Sequence, residues 1–157
     1  MTSKLHDSVA EEIHDRIILQ RNAFKGQVGT RTAGLAGSIY GIGSAKEKFP
    51  ARSKGKKNGK CPDKSYLHKP CKGYPALVIE VAWSERPLNL RESAKRYFQG
   101  SKGRIRTMVG IDLQYRRITP EDPATPASFL IWRAGEQNER GVPSISEPEK
   151  MVKSPNI

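Results

Sequence analysis

The chain has too little cysteine for a disulfide framework: Cys61 and Cys71 are its only two, and a reducing compartment would keep them as thiols. It has no apolar run near the roughly 20 residues that cross a bilayer, so no membrane partner is expected. Its first residues, Met1-Thr2-Ser3-Lys4-Leu5-His6-Asp7, lack the apolar region of a secretory signal, and an intracellular place, nucleus or cytoplasm, follows. Acid is scarce too. Sixteen Asp and Glu face 28 Lys and Arg, a net charge of +12, which points to polyanionic partners, nucleic acid first and an acidic protein behind it. The hydrophobic share of 36% is low for a globule, so part of the chain should stay outside the core.

What is present sorts into elements. Leu5, Val9, Ile13 and Ile17 recur at every fourth position, so residues 4–22 should form an amphipathic helix. The glycines from Gly26 to Gly43 then break helical pattern, and the alternation over Ser38–Ile42 suits a short edge strand. Residues 44–73 form a basic insert, and a loop is expected at about 44–60. Residues 76–83 are continuously apolar except at Glu80, which predicts a central strand buried on both faces. Pro87 and Gly100 bracket a second helix. Strands are expected over 105–113 and 128–132, and residues 136–157 read as a disordered tail behind a single domain of residues 1–135. The fold class is α/β: a mixed central sheet flanked by helices, in the order α-β-β-β-α-β-β.

Glu80 is the first chemical clue. A carboxylate among Val78, Ile79, Val81 and Ala82 must be paired, protonated or bound to a cation, because an unpaired buried ion costs several kcal/mol. Asp63 stands 17 positions earlier, after Pro62. If the two segments are neighbouring strands, the carboxylates can converge as the hard-oxygen pair that Mg²⁺ or Mn²⁺ prefers. On the first helix, Glu12 and Arg16 fall within the apolar stripe at pairing distance, either as a simple ion pair or as part of a site. On the second, Lys95 and Arg91 lie at one margin of the face made by Leu90, Ala94, Tyr97 and Phe98, where a lysine either snorkels to solvent or bends toward Glu80.

These residues also carry a resemblance. Pro62-Asp63, the block Pro75-Ala76-Leu77-Val78-Ile79-Glu80-Val81-Ala82, the helix Leu90…Ala94-Lys95…Tyr97, the strand Ile105–Asp112 and the final Ala127–Arg133 segment together resemble the PD-(D/E)xK restriction-endonuclease-like superfamily, a fungal branch of it most of all. The resemblance covers roughly residues 5–134 and is most specific over 75–115. It implies a restriction-endonuclease-like core and phosphodiester hydrolysis. Asp63 and Glu80 would be ligands to Mg²⁺ or Mn²⁺, with the Val81 carbonyl as a further ligand and Glu12 as the acid of the first helix. The motif's lysine position holds Ala82, and the resemblance makes Lys95 the lysine that has migrated to the following helix. Lys54, Lys56, Lys57, Lys60, Arg91, Arg104 and Arg106 would hold the nucleic-acid backbone.

Ala82 supports a second reading, a catalytically inactive nuclease-fold protein that binds nucleic acid through the same basic surface. A zinc site is a third: Cys61, His68 and Cys71 cluster, with His6 or His14 able to add a ligand, but their spacing matches no standard structural zinc arrangement. The sequence contains neither G-x-S-x-G nor G-x-x-x-x-G-K-[ST], so serine-hydrolase and phosphate-loop chemistry have no anchor.

Overall fold

A computed structural model describes residues 4–44, 47–48, 59–70, 73–83, 90–113 and 127–152. In chain order the elements are α1 (Lys4–Lys25), α2 (Arg31–Ser38), β1 (Ile39–Gly43), β2 (Glu47–Lys48), β3 (Gly59–Lys60), β4 (Lys64–His68), β5 (Leu77–Trp83), α3 (Leu90–Gly100), β6 (Thr107–Leu113), β7 (Ser128–Gln137), β8 (Pro143–Ile145) and β9 (Glu149–Val152). The main sheet runs β1-β4-β5-β6-β7-β8, and β9 also pairs with β7. β1, β4 and β5 are joined antiparallel, β5 and β6 parallel, and β7 returns antiparallel to β6. The protein is thus mixed α/β, with helices against the sheet.

β5 lies between β4 and β6, which is why it reads as an unbroken apolar run. Its two faces serve two cores. Val78 and Ala82 join Leu90, Ala94, Tyr97 and Phe98 of α3, with Ile105, Met108 and Trp132. Ile79 and Val81 join Ala10 of α1, Tyr66 and Ile111, flanked by Val9, Ile13 and Ile17. Since strand side chains alternate, Glu80 shares the α3 face with Val78 and Ala82. Its neighbour across the parallel pair is Gly110. A Cβ there would lie 2.7 Å from Trp132 and 3.0 Å from Leu90, so the α3 core closes over a position that only glycine fits.

Three departures from the sequence-based expectations have physical causes. α2 forms in a stretch taken to be broken by glycine. Thr30 caps it, its hydroxyl accepting from the Ala33 amide at 3.0 Å, and Ala36 is buried as the short helix packs on α1. β2 and β3 pair with each other inside the basic insert. The stretch expected to begin a disordered tail instead continues β7 through Gln137 and supplies β8 and β9, which cover the edge of β7 away from β6. Backbone pairing there needs little apolar sequence. Pro143 is buried where it opens β8, a position that tolerates the missing amide, and Ile145 packs against the α3 core.

Candidate active site

β4 and β5 bring Asp63 to Glu80. The ladder pairs Lys64 with Ile79, and the Asp63 amide continues it by donating to the Ile79 carbonyl at 3.1 Å. Asp63 then turns its carboxylate back onto β5, where Oδ2 accepts the Val81 amide at 2.7 Å. Glu80, the residue before Val81, accepts a hydrogen bond from the Tyr97 hydroxyl through Oε1. Tyr97 is fully buried. Burial first, then the charge and hydrogen bond of Glu80 and the charge of Asp63, raise its pKa far above the ordinary tyrosine value. That hydroxyl therefore stays protonated and donates to Glu80, within the field of both carboxylates.

α1 supplies a third side chain. His6 Nε2 lies 3.3 Å from Asp63 Oδ2, and His6 Nδ1 is 3.0 Å from Asp7 Oδ1. Burial favours the neutral imidazole, but the Asp7 hydrogen bond, the Asp63 charge and a hydrogen bond with the Val81 backbone outweigh it and raise the His6 pKa above 6.5. Two chains of contacts meet at residues 80–81 of β5: Asp7–His6–Asp63, reaching in from α1, and Tyr97–Glu80, reaching in from α3. Tyr97 was not singled out as functional in the sequence, and His6 only as a possible added ligand of the zinc alternative. The available signal for Tyr97 was its place on the apolar face of α3, since a buried tyrosine hydroxyl usually finds a partner.

The other expected site residues are dispersed. Glu12 is a correction: it is exposed and bonds Arg16 at 2.8 Å, because the buried stripe of α1 passes through Ala10 and the half-buried His6, Val9, Ile13 and His14, turned away from Glu12. Off that stripe as well, Glu11 instead reaches Lys64 of β4 at 2.5 Å. Lys95 is partly exposed and pairs with Glu92 on α3. Arg91 pairs with Glu147 at 2.9 Å. Arg104 lies over the Tyr74 ring, 5.5 Å from its centroid. Arg106 precedes Gly110 by four residues, about 13 Å along an extended strand, so it lies toward the other end of β6 from Glu80's neighbour. Lys54, Lys56 and Lys57, like Cys71 of the zinc alternative, fall outside the described residues, as does the side chain of Lys60.

Among the described residues, no three His, Cys, Asp or Glu side chains form a group that could hold a metal ion. A dedicated protein cage is therefore not what these residues offer. Mg²⁺ is commonly held by one or two carboxylates, with water and substrate phosphate completing the octahedron. No helix of the described residues is long and apolar enough to cross a membrane. No protein-family model matches the chain, and no curated protein matches it.

Proposed function

We propose that this protein is a divalent-metal-dependent nuclease with a restriction-endonuclease-like core, hydrolysing phosphodiester bonds in nucleic acid, DNA ahead of RNA. The observation that carries the reading is the Asp63 carboxylate accepting the amide of Val81, the residue that follows Glu80, at 2.7 Å. The strand order supports it, since the motif's two acids fall on adjacent antiparallel strands and the next helix leads into a strand parallel to the second.

In this reading Asp63, Glu80 and the Val81 carbonyl hold Mg²⁺ or Mn²⁺. Such an ion, when bound, polarises the scissile phosphate and lowers the pKa of a coordinated water. Tyr97 aims Glu80 by donating to its Oε1. Lys95 leaves Glu92 to orient the attacking water and to offset charge growing at phosphorus. Arg91, Arg104, Arg106 and the lysines of the insert contact the phosphate backbone, which gives little sequence preference and strong salt dependence.

Two observations favour a second reading, an inactive nuclease-fold binder. Ala82 is 1% exposed where the motif expects lysine, and Lys95 is paired on its own helix. Cleavage assays on single- and double-stranded DNA and RNA, with Mg²⁺, Mn²⁺ or EDTA, separate the two. Metal-dependent cutting that is lost in Glu80→Ala and Asp63→Asn is the expected result. Salt-sensitive binding with no cutting in any metal establishes the binder instead.

A further inference from the structure

We infer that His6 is a positioning residue for Asp63, reaching the site from α1 and fixing which carboxylate oxygen faces a bound cation. The inference rests on the metal-site reading above. Asp63 Oδ2 is already engaged twice, by the Val81 amide at 2.7 Å and by His6 Nε2 at 3.3 Å. A carboxylate held at one oxygen from two directions is restrained about its last bond, which leaves Oδ1 as the oxygen available to a cation.

His6 is itself constrained. Its side chain is 11% exposed, and Asp7 holds Nδ1 at 3.0 Å while Nε2 faces Asp63. The imidazole thus bridges two carboxylates, one on its own helix and one at the start of β4. Val9, Ala10 and Ile13, on the same face of α1, pack into the core with Ile79 and Val81, so the helix cannot slide without moving His6 off Asp63. Hydrogen-bonded partners of metal-ligating groups commonly contribute about 10–100-fold to metal affinity, and His6 is placed to do the same for Asp63. Its position one turn before Ala10 also explains how the first helix contributes to the site while Glu12 faces solvent.

The test is Mn²⁺ binding to the full chain in the absence of nucleic acid, followed by the paramagnetic resonance of free Mn²⁺, with circular dichroism as the check on folding. Wild type should bind Mn²⁺ and Asp63→Asn should lose most of that binding. His6→Leu, similar in bulk but without a donor, should weaken binding by about 10–100-fold, and His6→Gln, which keeps an N–H, should recover most of it. Should His6→Leu not fold, His6→Asn takes its place: it keeps a donor too short to reach Asp63, and the same weakening is expected. Undiminished or tighter binding in the folded donor-less variant overturns the positioning role and leaves the metal site standing. Equal weakening in the leucine and glutamine variants overturns it as well, since the donor is then not what matters. If wild type binds no Mn²⁺, or Asp63→Asn binds as wild type does, the metal site itself fails and the inference with it.

Discussion

At the residue scale, Glu80 shows how a half-buried carboxylate in a central strand is accommodated. The Tyr97 hydroxyl donates to its Oε1. Tyr97→Phe removes that donor while preserving the ring, and should lower stability by about 1–3 kcal/mol in urea denaturation, the range for leaving a buried polar group without its partner. Tyr66 gives a second test. Its hydroxyl lies 2.9 Å from His14 Nδ1, and burial, followed by the charges of Glu11 and Asp15, pushes its pKa up from 10 to about 12. A pKa raised on folding means that the stabilisation is complete below pH 10 and is lost as the pH climbs toward 12. Alkaline unfolding followed by ultraviolet absorbance should show this loss in wild type, and a flatter alkaline limb in Tyr66→Phe.

Among the elements, legibility followed the strength of the hydrophobic pattern. β5 was plain because burial on both faces writes a continuous apolar run, and the acid within it was conspicuous for the same reason. The face of α3 was equally plain, since Leu90, Ala94, Tyr97 and Phe98 are all buried. On α1 the four-residue stripe was real, but the buried face is centred nearer Ala10, a residue too small to stand out. That small rotation left Glu12 in solvent and put His6 against Asp63. α2 was hidden because its stability comes from a cap and from packing on α1, while its glycines argue against it. β8 and β9 were hidden because edge pairing is satisfied by backbone groups, on which composition is silent. Gly110 carries the matching prediction. Gly110→Ala forces a methyl against Trp132 and Leu90, and should destabilise by about 1–3 kcal/mol, the usual range for overpacking, measured by chemical denaturation.

For the whole molecule, the net charge of +12 sets how nucleic acid would be held under the proposed function. Binding dominated by phosphate contacts releases counterions, so log K should fall linearly with log salt, with a slope of about −0.9 per phosphate contacted on duplex DNA and about −0.7 on single strands. Fluorescence anisotropy at a series of salt concentrations measures that slope. Glu80→Ala should leave it unchanged, because the carboxylates are not what attracts the polyanion. A slope near zero would remove the electrostatic account of binding.

The small β2–β3 ribbon gives this charge a particular freedom. Glu47 pairs with Lys60 and Lys48 with Gly59, and neither strand joins the main sheet. Asp63 takes its position from β4 and β5, after the ribbon has closed. Doubling the length of a link that closes such a ribbon adds only about 0.6 kcal/mol of closure entropy. Under the proposed function, grip and chemistry would then be separable traits: the sequence between β2 and β3 could be shortened, lengthened or recharged by evolution or by an engineer, while Asp63 keeps the place that its backbone and side-chain bonds to β5 give it.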